Sequence, residues 1–286
     1  MSDLIQHRLA VSGGQIEYFY HPPIPVEHRT PLLFLHGILS SGRIFTHHYL
    51  PGLAALGHPT YAMSLRGFGE SKTLSANRAT EMQTHVNDVI AMVDHIRCTQ
   101  GQIPILIGYS LGGLIAQHTA AALHVRGQTS KLAALGLLAS VPPQGFVRLN
   151  QDMLLREPLV AFLLGQAMTL PHFAATNPYI RKGLINSLFY QPPSLAQIDA
   201  LFESVQYDDL SLYLQPHEVD TQFCSALPVF VMGASHDKLV STSLVNQTAS
   251  AYQTTPHFFT QTGHAIPLET YWQENVRQIS DLINFL

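Results

Sequence analysis

Six short runs, Leu32–Leu35 and residues 59–65, 103–108, 132–139, 228–233 and 256–261, are apolar at nearly every position, and helical patterns lie between them. A strand that is apolar on both faces must be covered on both, so these runs predict a mostly parallel sheet with helices on each side. Residues 80–97 carry Val86, Val89, Val93 and Ile96 at steps of three and four, with Gly101 as a stop. Trp272, Val276, Ile279 and Ile283 repeat that period near the end of the chain, so the single tryptophan is expected to pack on the sheet. Before the first run, Ile5–Val11 and residues 15–20 flank Ser12-Gly13-Gly14, a glycine turn suited to a β-hairpin. The expected α/β fold therefore has eight strands.

Composition narrows the partners. Of 286 residues, 46% are hydrophobic and only 12% charged, which excludes a disordered chain and suits one large domain with an insertion. Fifteen Lys+Arg against nineteen Asp+Glu leave a net charge of −4 with scattered bases, so no nucleic-acid partner is expected. Cys98 and Cys224 fit neither a disulfide framework nor a zinc site, and no metal is expected. A start without an apolar leader predicts a cytoplasmic protein. Residues 98–125 carry no Asp, Glu, Lys or Arg, but Pro104, Gly108 and Gly112-Gly113 divide them into strand, turn and helix, so no stable membrane insertion is expected. The sequence is silent on oligomeric state.

Residues 142–223 break the alternation. They show helical patterns punctuated by Pro158, Pro171, Pro178, Pro192-Pro193 and Pro216, and no strand pattern. The expected division is a core of residues 1–141 and 224–286 with a helical cap, or lid, of residues 142–223. The cap is rich in apolar residues between Met153 and Leu170 and is expected to line the entrance to the site, with Phe162 and Leu163 as candidate substrate contacts.

Gly108-Tyr109-Ser110-Leu111-Gly112 has the form G-x-S-x-G between an apolar run and a helical pattern. Such a turn is too sharp for bulk two residues either side of the serine, and it holds Ser110 out as a nucleophile. A serine hydroxyl needs a base to take its proton and an acid to hold that base in one tautomer. His264 follows the last run through Thr262-Gly263, and Asp237 follows residues 228–233, so all three lie at strand carboxyl ends, where open α/β sheets bind ligands. The alternative place for the acid, Ala139-Ser140-Val141, offers no carboxylate. Asp208, Asp209, Glu218 and Asp220 are expected to be solvated charges or helix caps, and Glu269, five residues after His264, a surface charge, with a hydrogen bond near the histidine loop as its alternative role. The amides of Leu111 and Ile38, with Leu39 as fallback, are the candidate oxyanion hole. His36 is expected to brace its loop, and Leu39 and Tyr109 to touch substrate.

These motifs, with Arg66-Gly67-Phe68-Gly69-Glu70-Ser71, make the chain resemble the α/β-hydrolase superfamily, in its cap-bearing serine esterase, lipase and C–C hydrolase branch. The resemblance implies that fold, the triad Ser110, Asp237 and His264, and no cofactor. Relatives often carry an aspartate two residues before the arginine of the Arg-Gly-x-Gly loop, where this chain has Ser64. Gly67-Phe68-Gly69 is no dinucleotide fingerprint, because Lys72 stands at the third glycine position. The expected function is hydrolysis of a hydrophobic small-molecule carboxylic ester through a Ser110 acyl-enzyme. C–C bond hydrolysis, thioester or amide hydrolysis, acyl transfer and perhydrolysis stay open, as do a lyase, a cyclase or a small-molecule receptor on the same fold.

Overall fold

Alternation along the central strands divides their side chains between two cores. The computed structural model describes residues 4–24, 29–73, 81–194, 198, 212 and 215–285. Its sheet runs β1 (Ile5–Val11), β2 (Gly14–His21), β4 (Thr60–Met63), β3 (Leu32–Leu35), β6 (Ile105–Tyr109), β7 (Ala134–Leu138), β8 (Val229–Ala234), β9 (Pro256–Phe259). β1 and β2 form the expected hairpin, β2 pairs antiparallel with β4, and the later neighbours are parallel. Beside these eight strands, β5 (Lys72–Thr73) pairs with β2 and is too short to show a pattern in sequence.

Leu33 and Leu35, Leu106, and Leu135 and Leu137 face a core shared with α2 (Met82–Gln100), α3 (Leu111–Val125) and α8 (Thr242–Ala251). Leu32 and Phe34, Ile105 and Ile107, and Ala134 and Leu138 face the opposite core, shared with α1 (Tyr49–Ala55) and α9 (Trp272–Asn284). Each fully buried Leu or Ile contributes about 1.5–3 kcal/mol. α2 buries Val86, Val89, Val93 and Ile96 and ends at Gly101 with φ 66°, a left-handed closure that suits glycine. Trp272 lies half-buried with its ring stacked on His48 at 4.6 Å. The uncharged stretch 98–125 falls into the end of α2, then β6, then α3. No helix among the described residues is long and apolar enough to cross a membrane.

Between β7 and β8 lie α4 (Gly145–Arg156), α5 (Pro158–Thr169), α6 (Pro171–Thr176) and α7 (Pro178–Leu188), with no strand among the described residues. The prolines that punctuate the sequence open α5, α6 and α7, where a missing N–H leaves no helical bond unmade. Because β3 lies between β4 and β6, the loops leaving the carboxyl ends of β3 and β6 part there and open a crevice.

Candidate active site

β6 turns into α3 through Ser110, whose φ of 53° and ψ of −117° lie outside the regions that ordinary residues favour. Strain of this kind costs about 1–3 kcal/mol and persists only where the surroundings enforce it. Here the Ser110 amide donates to Leu138 at 3.1 Å, and its carbonyl accepts from Gly113 at 3.0 Å and Val141 at 3.1 Å. A β-carbon on Gly108 would run into the Gly112 carbonyl, and one on Gly112 into the carbonyls of Leu35 and His36. Both glycines are therefore required by contact as well as by the turn.

Ser110, His264 and Asp237 come together from the ends of β6, β9 and β8. His264 Nδ1 donates to Asp237 Oδ2 at 2.7 Å, and its Nε2 lies 3.2 Å from Ser110 Oγ. Asp237 Oδ1 accepts from the amides of Leu239 at 2.8 Å and Val240 at 2.9 Å. With the carboxylate fixed on both oxygens, the imidazole keeps its proton on Nδ1 and presents Nε2 to the serine as an acceptor. All three residues are buried.

The loop after β3 brings Gly37 against Ser110, and a β-carbon there would lie 3.0 Å from Ser110 Cβ. Ile38 lies beside Ser110, and Leu39 follows with φ 55°. Leu111 opens α3, so its amide has no partner within the helix. His36 braces this loop: Nε2 accepts from the Leu65 amide at 2.9 Å and Nδ1 donates to the Gly37 carbonyl at 2.7 Å. Burial holds its pKa down to about 4, so it is neutral and occupied.

Several supports were not settled by the sequence. Glu269, expected at the surface, is fully buried and accepts from the amides of Tyr190 at 2.6 Å, Gln191 at 3.1 Å and Gly263 at 2.8 Å. It pins the residue before His264 to the exit of α7, and those three amides are what keep a buried carboxylate in place. The Tyr109 hydroxyl donates to the His264 carbonyl at 2.8 Å, and burial pushes its pKa far up, so it stays a donor. Arg66 grips Asp88 of α2 through two nitrogens, at 2.9 and 2.6 Å, and donates to the carbonyls of Gly13 and Ser12 in the hairpin turn. Asp220 accepts from the Gln222 amide as a local cap; Asp208 and Asp209 lie outside the described residues.

Two cavities meet at Ser110 and His264. One, of about 80 Å³, is lined by Leu39, Ile44, Tyr109, Ala174 and Leu184 among others. The other, of about 300 Å³, lies against Phe146, Leu149, Met153 and Met168. Leu39 and Tyr109 thus reach the site, whereas the expectation for Phe162 and Leu163 needs correction. Phe162 is 56% exposed on the outer face of α5, and Leu163 is buried among Ala167, Ala174 and Leu184 and lines neither cavity. With Pro158 opening α5, the helical period turns Leu164, one residue later, to the cavity at Ser110.

A sequence model described as the alpha/beta hydrolase family matches residues 32–278. The chain belongs to the alpha/beta hydrolase family. No curated protein matches it in sequence. Among solved structures, an esterase from Rhodococcus sp. ECU1013 is 21% identical with a TM-score of 0.66, covering 99% of each chain. An esterase from Exiguobacterium antarcticum is 16% identical with a TM-score of 0.67, covering 99% of this chain and 100% of that one. A thioesterase domain from the curacin biosynthetic pathway is 19% identical with a TM-score of 0.60, again covering 99% of each. At such identities the likeness is to the alpha/beta hydrolase fold.

Proposed function

We propose that this family member is a cofactor-independent serine hydrolase acting on a hydrophobic small-molecule carboxylic ester. The observation that carries the reading is the hydrogen-bond chain from Ser110 Oγ through the His264 ring to Asp237. Ser110 Oγ attacks the ester carbonyl carbon as its proton passes to His264 Nε2, and Asp237 stabilises the imidazolium. The carbonyl oxygen becomes an oxyanion facing the amides of Leu111 and Ile38, each donor of this kind being worth about 2.7–4 kcal/mol. Collapse breaks the bond to the alcohol oxygen, which takes the proton from His264, and leaves an acyl ester on Ser110. Water then gives a proton to His264 and attacks that ester, releasing the acid and restoring the serine. Helices α4–α7 act as a lid, α5 placing Leu164 and Ala167 beside the nucleophile. Two free cysteines, Cys98 exposed, suit the reducing cytoplasm.

A fluorophosphonate probe followed by peptide mapping tests the assignment. Labelling should fall on Ser110 and vanish in Ser110→Ala. On p-nitrophenyl esters, Ser110→Ala and His264→Ala should each lower kcat by roughly 10⁴ to 10⁶, and the double variant should be scarcely worse, because residues that act as one unit are lost together. Additive losses would overturn the triad, and a probe-silent protein without turnover would mark a binding protein on this fold.

A further inference from the structure

We infer that the substrate is an ester of a short acyl group with a longer apolar alcohol, held apart by a wall made of Leu164 and Leu239. The inference rests on the reading of Ser110 as the acylated residue. Both cavities reach Ser110 and His264, so a bond under attack at Ser110 can have one half in each. Ile38, Leu164 and Leu239 line both as well, and so stand between them. Leu164 comes from α5 and packs on the cluster of Met153, Val160 and Leu239. Leu239 comes from the loop of the triad acid, its own amide donating to Asp237. The wall is therefore built jointly by the helices between β7 and β8 and by the catalytic loop.

The two spaces differ in size and in access. An apolar cavity of about 150 Å³ holds a benzene ring. By that measure the 80 Å³ cavity admits an acyl group of a few carbons, while the 300 Å³ cavity admits a medium-length chain or a substituted ring. None of the residues lining the smaller space is exposed. The larger has an exposed rim at Asn150, Leu154 and Thr169. The order of bond breaking makes use of this difference. The alcohol leaves first, while the acyl group stays bonded to Ser110, so the alcohol belongs in the larger space with the exposed rim and the acyl group in the smaller one lined by buried and half-buried residues. Water for the second step then enters along the path the alcohol has vacated.

Hexyl acetate and ethyl hexanoate are isomers, so their comparison removes differences in size and hydrophobicity and leaves only which side of the carbonyl is long. Hexyl acetate should show the higher kcat/KM by about tenfold or more, since even one methylene in an apolar pocket is worth that much. Leu164→Ala or Leu239→Ala, each removing part of the wall, should bring the ratio toward one by admitting the hexanoyl chain. Ethyl hexanoate turned over as fast as hexyl acetate, or faster, would overturn the inference while ester hydrolysis stood. A ratio unmoved in a folded wall variant would overturn the role of the wall, and the wild-type comparison decides the orientation without any variant. An enzyme that the fluorophosphonate labels on Ser110 but that hydrolyses neither isomer would also overturn it. A protein left unlabelled and inactive would instead remove the reading on which it rests.

Discussion

Glu17 on β2 accepts a 2.5 Å hydrogen bond from the hydroxyl of Ser64, the residue that follows β4. The same Oε2 accepts from the Glu70 amide at 3.1 Å, Oε1 accepts from Gln6, and the Ser64 hydroxyl itself accepts from the Gly42 amide. A carboxylate therefore does reach the Arg66-Gly67-Phe68-Gly69 loop, delivered from a neighbouring strand rather than from position 64.

Breaking this pair strands buried donors on both sides. Ser64→Ala and Glu17→Ala should each destabilise the fold by about 1–3 kcal/mol in urea denaturation. Because they share one bond, the double variant should lose less than the sum, with a coupling of about 0.5–3 kcal/mol. Ser64→Asp alone should also destabilise, since it sets a second carboxylate against Glu17. Simple additivity would mean that the two residues act independently.

Asp237→Asn keeps the shape of the acid but invites the wrong imidazole tautomer. A loss of about 10⁴-fold in kcat is expected with little change in thermal stability. Asp220→Asn and Glu218→Gln should stay near wild type, as Asp220 caps only its own turn and Glu218 is exposed. Wild-type rates in Asp237→Asn would move the acid elsewhere.

Glu269→Gln replaces one of two acceptor oxygens, shared among three amides, by an NH₂ group that must face one of them. Burial already pushes the Glu269 carboxyl up, against the pull of the amides of Tyr190, Gly263 and Gln191. A lowered Tm together with a lowered kcat is expected, because Gly263 leads directly into His264. If only Tm fell, the contact would be structural and the His264 loop would hold without it.

Buried His36 and His85 and the half-buried His118 predict acid lability. Burial lowers His36 and His118 to about 4 and His85 to about 3, from an ordinary 6.5. Between those values the unfolded chain binds protons that the folded one refuses, so stability is full above about pH 7 and falls as pH drops through 6.5 toward 4. The slope approaches about 1.4 kcal/mol per pH unit for each histidine. Urea titrations from pH 8 to pH 4.5 would measure it, and His85→Leu should flatten the slope by up to about 1.4 kcal/mol per pH unit. A pH-independent midpoint would contradict this burial.

The strands were legible because a doubly covered strand leaves no room for polar residues, and the elbow because its glycines are demanded by contacts two residues away. What escaped depends on distant partners. Nothing local marks Glu269 as the acceptor for amides at positions 190 and 191. The turn of α5 toward the nucleophile rests on a helical phase set by Pro158, so an apolar run from Leu159 to Leu164 does not say which member faces inward. Leu239 looks like an ordinary loop residue until α5 is laid against it. The carboxylate expected near position 64 in relatives is likewise legible only once β2 and β4 are paired.

Tyr109 is joined to Ser110 by one peptide bond and to the backbone of His264 by one hydrogen bond. Ser110 and His264 are thus moored to the same post, although 154 residues separate them in the chain. The turn after β6 is thereby tied directly to the loop after β9, so the spacing of Ser110 and His264 does not rest on the intervening strands alone. Asp237 lies outside that mooring at the end of β8, and the amides of Leu239 and Val240 give it a separate one.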